Sequence, residues 1–469
     1  MDLKRKVSNK IVQWKANPNR LPLIVDGLRQ VGKSYVVSKF ANENYEHVVV
    51  YDFRHRKKLR KIFDGDIDVD SILTKSSPYF PKGSFVPGST VLVFEEIGDC
   101  PNARASLKSF ASDRRFDVIG TGSLLGVLSH RRVKPVDVPT GYETIIEMTS
   151  LDFEEFLWAN GLTESDISVL RKHTQEEKEL PSALASYFKE MIKRYIVVGG
   201  MPRAVTTFLS SNNYAEAREY LIGLITDYRG DFGRFIDENG EEQIDYYLQA
   251  QLNRLLDSIP VQLGRENMNT KFRYGDVEKG GRASKYERAF DWLSKSGLIL
   301  RTFNVRAPEM PLTSHKEDSE FKLYLSDIGL LMAMYPIAVS QRLLSEDLDS
   351  RKGAIYENLL ATMINKVGIP LYYFGNGTDH LEVDFLIESS NGMILLEEKA
   401  TNGKMAASKA IMTGQTKYRA HKCYKIIQSN FGEGDFFTTV PQYAVPFLLE
   451  KVQAEESEGT TLPPLPFPA

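Results

Sequence analysis

The eight residues GLRQVGKS, Gly27 to Ser34, constrain this chain more than any others. They satisfy the spacing G-x-x-x-x-G-K-[ST], and they lie between an apolar run, LPLIV, and a segment with helical character, SYVVSKF. A loop that joins a strand to a helix N-terminus aims backbone N–H groups at an anion, so this context turns a short motif into a phosphate cradle. Gly27 and Gly32 permit the turns and the close approach of backbone to phosphate. Lys33 is expected to neutralise β- and γ-phosphate charge and Ser34 to ligate magnesium. Gln30, Val31 and Tyr35 complete the expected ATP-binding stretch. A plain glycine turn with a solvated lysine would need neither the strand before it nor the helix after it.

Four more apolar runs, HVVVYDF, TVLVFEE, FDVIGTG and ETIIEM, follow at helix-length intervals up to about residue 148. Runs of this kind indicate a parallel sheet covered on both faces, so the expected class is α/β with residues 1–150 as its P-loop core. At 469 residues the chain is too long for one core. Residues 151–237 read as a helical lid or connector, with aromatics and leucines three and four apart. Residues 238–310 form a shorter helical group that ends in an alternating wing strand, SGLILRTFNV, and RAPEMPLTSHKED reads as a loop. A last α/β unit spans 320–450, and an acidic then proline-rich tail, 451–469, is expected to be disordered. Hydrophobic residues make up 42% and charged residues 26%, and no apolar run nears the ~18 residues of a membrane span, so a cytoplasmic protein is expected. The two cysteines, Cys100 and Cys423, have no zinc-like spacing and fit a reducing compartment.

The run VLVFEEIGD ends in two carboxylates, Glu95 and Glu96. On a strand beside the P-loop strand, Glu95 takes the metal position and Glu96 the position that polarises the attacking water. The next strand, FDVIGTG, places Thr121 and Ser123 where hydroxyls can sense the γ-phosphate or orient water; packing-only turn chemistry is the alternative for either. Arg131 and Arg132 follow a short helix, SLLGVLSH, and can project into a neighbouring subunit's nucleotide; the alternative is a solvated basic pair.

GLRQVGKS, VLVFEEIGDCPNARASLKSF, GTGSLLG, LDFEEFLWANG and YIVVGGMPRAV together resemble the AAA+ ATPases of bacteria and archaea that carry a C-terminal domain of unknown function, DUF4143. The resemblance runs from about residue 15 to about 430. It implies an AAA+ core with a magnesium–ATP site at Lys33, Ser34, Glu95 and Glu96, and ring-like homo-oligomers, such as a hexamer, in which Arg131 or Arg132 acts in trans. The family pattern carries aspartate where this chain has Glu95, whose arm is longer by about 1.5 Å.

Between Arg265 and Arg288 seven basic residues face four acids, against a whole-chain charge of -3. The segment reads as helix, turn, helix and wing, the second helix starting near Arg282 and ending before Gly297, with Ala289, Trp292 and Leu293 inward. Lys271, Arg273, Lys279, Arg282, Lys285 and Arg288 are the candidate DNA contacts; the bland alternative is a solvated face of a winged-helix-like packing unit. Further on, LEVDFLIE, the turn SSNG and MILLEEKA form a hairpin that brings Asp384 beside Glu397 and Lys399, with Glu357 on a preceding helix. This set looks like the PD-(D/E)xK nuclease fold. Glu388 and Glu398 are expected to face solvent.

The leading reading is an ATP-hydrolysing protein that uses magnesium and ATP to bind or remodel duplex, single-stranded or branched DNA. The alternatives are a nucleotide-dependent switch in signalling or defence, with the C-terminal domain as effector, and an ATP-gated metal-dependent nuclease.

Overall fold

The structure, a computed structural model, describes residues 2–122, 141–236, 242–264, 271–346, 352–376, 381–399 and 405–459. Helix α1 (Lys6–Ala16) precedes β1 (Leu23–Asp26), α2 (Lys33–Asn44), β2 (His47–Asp52), α3 (Val69–Ser76) and β3 (Thr90–Glu95). Two short helices, α4 (Pro101–Ala105) and α5 (Leu107–Asp113), lead into β4 (Asp117–Thr121) and β5 (Thr144–Glu147). All five expected strands form, and they pair in parallel in the order β2-β3-β4-β1-β5. β-Branched residues dominate them, and the inner strands are covered on both faces: Leu23 and Val25 pack with α2 on one side, and Ile24, Leu92 and Phe94 join an aromatic cluster on the other, while Val50 of β2 and Ile145 of β5 are exposed at the edges. The order corrects one expectation. The strand that ends in Glu95 is not beside β1; β4 lies between them, so the acids reach the phosphate loop across one intervening strand.

Helices α6 (Phe153–Ala159), α7 (Glu164–Glu176), α8 (Ser182–Val198), α9 (Pro202–Ser211) and α10 (Tyr214–Asp231) form the expected helical unit. α6 and α7 begin with capping boxes, Asp152 with Glu155 and Thr163 with Asp166. α8 stops at Gly199, whose φ of 75° suits glycine. A Cβ on Gly199 would lie 2.4 Å from Asp327 Oδ1, and one on Gly200 would lie 2.1 Å from Leu151 O. The glycine pair of YIVVGGMP therefore marks a joint at which three parts of the chain touch.

After the hairpin β6 (Arg234–Ile236) and β7 (Glu242–Ile244) come α11 (Tyr246–Leu263), α12 (Tyr274–Val277) and α13 (Ala283–Lys295), then β8 (Ile299–Val305) and β9 (Lys316–Leu325). α13 buries Ala289 and Leu293 as expected, while Trp292 is half-buried against Phe232. The strand expected to form a small separate wing is instead internal to a larger sheet: β8 pairs with β9 on one side and, in parallel, with β10 on the other. β9 also starts inside the stretch read as loop, because Lys316 to Glu320 continue its pairing and twist with β8. α14 (Ile328–Met334), α15 (Ile337–Leu344) and α16 (Lys352–Lys366) lead to β10 (Tyr372–Asn376), β11 (Leu381–Ile387) and β12 (Ile394–Glu398). α17 (Ala406–Met412), β13 (Lys422–Ile427), β14 (Gly432–Glu433), β15 (Thr438–Pro441) and α18 (Val445–Gly459) complete the described chain.

The second sheet is mixed and eight-stranded, in the order β14-β15-β13-β12-β11-β10-β8-β9. α16 and α18 cover one face through Leu359, Leu396 and Leu448; α17 covers the other through Ala407, Ile411 and Leu395. α18 carries helix through Gly459, so the expected disordered tail does not begin at residue 451: Val452 is buried and anchors that turn. Residues 460–469 lie outside the described residues. One apolar core runs from α1 through the helical unit into α16 and α18. Asp327, which caps α14, accepts from Ser150 Oγ at 2.6 Å, from Gly200 N–H at 2.9 Å and from Gly329 N–H at 2.9 Å, locking the second sheet's unit to the end of the first.

Candidate nucleotide site and C-terminal acid cluster

The phosphate loop leaves the end of β1 and enters α2 through Gly32, in a left-handed conformation (φ 97°). At Gly27 (φ 144°) a Cβ would sit 2.1 Å from Met148 O, so the loop is folded hard against the end of β5 and no larger residue fits. Lys33 is buried, and its Nζ donates to Gly27 O at 2.8 Å and Leu28 O at 2.9 Å. Burial lowers its pKa to about 8, against the attraction of Glu96 and Asp26. Ser34 and Tyr35 face solvent on the first turn of α2, where the Tyr35 hydroxyl donates to Asp2 at 3.0 Å.

Glu95 ends β3 half-buried, and the Ser34 hydroxyl reaches its carboxylate. Burial raises the Glu95 pKa, and the neighbouring Asp52 and Glu96 raise it further. A hydroxyl and a carboxylate meeting where negative charge is unrelieved are suited to a hard cation with oxygen ligands, so Ser34 and Glu95 fit magnesium. Glu96 follows with φ 52°, an unusual conformation for a side chain of its size, which turns its carboxylate off the line of the strand. Its Oε2 lies 3.2 Å from Arg54, which also donates to Asp99 at 3.1 Å. Thr121 is buried, and its hydroxyl oxygen accepts the Glu96 N–H at 3.4 Å. Ser123, Arg131 and Arg132 lie outside the described residues.

Several partners of this site were not apparent in the sequence. Arg5, just before α1, donates to Val31 O at 2.8 Å and Thr149 O at 2.6 Å and pairs with Glu155 at 3.2 Å, tying the phosphate loop to the start of the helical unit. α10 lies over the loop: the Tyr228 hydroxyl donates to Arg29 O at 2.9 Å, the Tyr220 hydroxyl to Gln30 Oε1 at 2.7 Å, and Arg29 pairs with Asp231. Gln30 thus meets the lid, while Val31 is buried beneath the loop. Nothing in the local pattern distinguishes these residues from solvated ones.

Asp26, immediately before Gly27, is buried; its carboxylate accepts the Gly27 N–H at 2.7 Å. Burial pushes its pKa up to about 6 from 3.8. Below pH 3.8 both folded and unfolded chains hold this proton. Between 3.8 and about 6 only the folded chain does, so stability falls as pH rises and above 6 carries a cost of about 3 kcal/mol. Asp26→Asn keeps the acceptor for Gly27 and removes the charge. Thermal unfolding is expected to show a higher Tm for the variant at pH 7.5 and no gain at pH 4; equal gains at both would remove the ionisation as the cause.

In the second sheet the hairpin β11–β12 forms with Phe385 opposite Leu396 and Ile387 opposite Ile394. β11 carries an irregularity against β10 between Val383 and Leu386, of the kind that re-aims side chains. Asp384 Oδ2 accepts the Glu398 N–H at 2.9 Å and Lys399 Nζ at 3.0 Å. Lys399 also reaches Glu397 at 2.7 Å, and Ser408 donates to the same carboxylate at 2.5 Å. Glu357 is held by Lys322 at 2.7 Å and by the Tyr324 hydroxyl at 2.7 Å, and Lys322 also meets Glu382 at 2.6 Å. Both Lys322 and Tyr324 come from β9, the antiparallel partner of the strand expected as a wing.

The hairpin therefore brings Asp384, Glu397 and Lys399 together, with Glu357 nearby on α16. Each acid, however, already has a lysine partner. Among the described residues no group of three or more His, Cys, Asp or Glu side chains is placed to hold a metal ion. Glu398 is buried against the expectation of exposure; Gln442 donates to its Oε1 at 3.1 Å, and burial raises its pKa well above the usual carboxylate range. Glu388 is half-buried and accepts the Leu312 N–H at 2.7 Å.

Of the six candidate DNA contacts, Lys271 pairs with Glu320, Lys285 with Glu278, and Arg288 with Asp245 at 2.9 Å. Arg273, Lys279 and Arg282 are exposed and pair with no carboxylate among the described residues. Both cysteines are buried and free. Among the described residues no helix is long and apolar enough to cross a membrane.

Residues 19–157 match the model of an AAA domain, residues 189–341 that of a domain of unknown function, DUF8612, and residues 352–443 that of a second, DUF4143. The DUF8612 match crosses the boundaries read from the sequence at 237 and 310, in keeping with the continuity of β8 and β9 with the large sheet. No curated protein matches the chain in sequence. Among solved structures, the Walker-type ATPase PABY2304 of Pyrococcus abyssi is 15% identical, covering 71% of this chain and 96% of its own, with a TM-score of 0.40. The ORC2 protein of Aeropyrum pernix is 10% identical over 74% and 94%, with a TM-score of 0.34. The RuvB Holliday junction branch migration motor of Thermotoga maritima is 13% identical over 64% and 90%, with a TM-score of 0.29. With a phosphate loop at the end of β1 in a five-stranded parallel sheet, the chain carries an AAA domain at residues 19–157 and a C-terminal DUF4143 domain at residues 352–443.

Proposed function

We propose that the chain hydrolyses ATP with magnesium and couples nucleotide state to binding of DNA. The observation that carries the reading is the meeting of Lys33, Ser34, Glu95 and Glu96 at one edge of the parallel sheet. Lys33, freed from the Gly27 and Leu28 carbonyls, neutralises β- and γ-phosphate charge, and the backbone N–H groups from Leu28 to Ser34 hold the phosphate oxygens. Magnesium, when bound, supplies charge neutralisation at the phosphates and would be held by Ser34 and Glu95. Glu96 orients the attacking water and takes its proton. Arg54, anchored by Asp99, sets where that carboxylate rests between turnovers.

For DNA the support is the helix–turn–helix formed by α11, α12 and α13, with Arg273, Lys279 and Arg282 exposed, and without a carboxylate partner among the described residues, at the turn and at the start of α13. Cations left without carboxylate partners are the ones free to meet phosphate. This unit shares a sheet with the DUF4143 domain, and Asp327 and Arg5 tie that sheet to the phosphate loop, so a contiguous polar and apolar path joins the two ends of the proposed coupling. Because lysines already satisfy its carboxylates, the C-terminal cluster is read as a binding and structural element.

The test is ATP turnover measured with single-stranded, duplex and four-way-junction DNA, together with binding by fluorescence anisotropy. Stimulation by at least one form is expected. Replacing Lys279 and Arg282 by alanine is expected to weaken binding to every form and to reduce the slope of log affinity against log salt by about 1 to 2. If no DNA binds and none alters turnover, the reading falls and a nucleotide-dependent switch takes its place.

A further inference from the structure

Tyr246 and Tyr247 occupy the first turn of α11, and 74% and 63% of their surfaces are exposed. A helix start in solvent has no packing need for two adjacent aromatic rings, and contiguous exposed apolar surface marks a contact site far better than one stray residue does. Their surroundings narrow the partner. Asp245, just before them, caps α11 through the Leu248 N–H at 3.0 Å and holds Arg288 of α13 at 2.9 Å. Gln251, one turn on, donates to Lys285 O at 2.6 Å, so the start of α11 lies against the start of α13. Tyr247 is close enough to Lys285 to influence its ionisation. Glu278 holds both Lys285 and Arg254, and Lys279 and Arg282 stand exposed alongside. The rings are therefore set into a cationic surface on a chain that is acidic overall.

We infer that Tyr246 and Tyr247 form a stacking platform for unpaired bases of single-stranded nucleic acid, whose backbone runs along Lys279, Arg282 and Lys285. The inference rests on the DNA-binding reading above and specifies the form of nucleic acid. Exposed rings on a convex helix can stack on a base that is not already stacked within a duplex, and a ring accepts any base because every base has an apolar face. Successive residues on a helix diverge by about 100°, so the two rings take neighbouring bases and do not sandwich one. Phosphate between those bases meets Lys285, and Glu278 restrains that lysine until the strand arrives. A protein surface would satisfy the rings as well, but the flanking cations favour a polyanion.

The experiment uses the full-length chain, fluorescein-labelled oligothymidine and a duplex of equal length, with binding read by anisotropy at several salt concentrations. In the double variant Tyr246→Ala, Tyr247→Ala, single-strand affinity is expected to fall at least about tenfold, since each stacked base contributes about 1–3 kcal/mol. Duplex affinity, the salt slope, ATP turnover without DNA and Tm are expected to stay as in the parent. The Tyr246→Phe, Tyr247→Phe pair, which keeps both rings, is expected to recover single-strand affinity to within about twofold. If the parent binds single strands and the alanine pair binds them equally well, the inference is overturned and the DNA reading stands. If the parent binds neither form, the DNA reading itself has failed. Equal loss for both forms, failure of the phenylalanine pair to recover binding, or a changed sedimentation coefficient in the alanine pair would each overturn the stacking role, the last by assigning the rings to contact between copies.

Discussion

Lys33→Ala is expected to weaken ATP binding by at least about a hundredfold in isothermal titration, with no comparable change in Tm. The side chain supplies charge-assisted contacts to two phosphates, each worth about 1.5–3 kcal/mol, and tenfold in affinity is about 1.4 kcal/mol. Without nucleotide, the same ammonium satisfies only the Gly27 and Leu28 carbonyls, and the burial that lowers its pKa makes holding the charge there a cost to the fold. Loss of the lysine therefore costs binding much more than folding. The pH dependence has a definite sign. Burial lowers the free pKa to about 8, and bound phosphate favours the charged form, so affinity is greatest below pH 8 and falls as pH rises above it. A variant that binds ATP with parental affinity would show that Lys33 stays on the loop carbonyls and does not serve the phosphates.

The residues that were legible in the sequence are those whose chemistry depends on neighbours close in the chain. GLRQVGKS specifies its own turn: Gly27 is the one residue type that fits against Met148, and Gly32 adopts the left-handed conformation at which α2 starts. The five strands announce themselves because both faces of a parallel sheet need apolar residues, and SSNG places the β11–β12 turn. The partners of these elements are another matter. β4 separates β3 from β1 through crossover connections that leave no local trace. Arg5, Arg54 and Asp327 look in sequence like any solvated charge, and their roles come from chain segments tens to hundreds of residues away. The β8–β9 pair was hidden by the proline-containing connection between its strands, which resembles a linker although it closes a hairpin.

Glu398 is different, because the signal was present. MILL before it does not alternate, so both faces of that strand had to be covered, and of two successive glutamates one must then point into each face. Glu397 lies toward Ser408 of α17 and Glu398 toward Gln442, on the side of α16 and α18. Assigning one of them to solvent applied the pattern of a half-exposed strand to a fully covered one. Burial also explains the lysines beside the neighbouring acids: Lys322 holds Glu357 and Glu382, and Lys399 holds Asp384 and Glu397, whereas Glu398 has Gln442 on Oε1 alone.

Glu96→Gln is expected to lower ATP turnover by about a hundredfold to ten-thousandfold while leaving ATP affinity unchanged, the range general-base groups contribute. The geometry isolates the proton-accepting function. Glutamine has the same length, retains an oxygen for Arg54 at 3.2 Å and does not alter the backbone, whose N–H remains on Thr121. What it loses is the ability to take a proton from water. Ser34, Glu95 and Lys33, which account for magnesium and phosphate, are untouched, so binding and turnover separate. The φ of 52° at Glu96 supports this division, since a strained conformation at a strand end persists only where surrounding contacts hold it, here Thr121 beneath and Arg54 above. Single-turnover measurements with excess protein give the cleavage step directly and keep product release out of the comparison. Parental single-turnover rates in the variant would remove Glu96 from the proton transfer and pass the role to another acid at the end of β2 or β3, with Asp52 and Glu95 the nearest; a parallel loss of ATP affinity would mean that Glu96 serves the metal alongside Glu95.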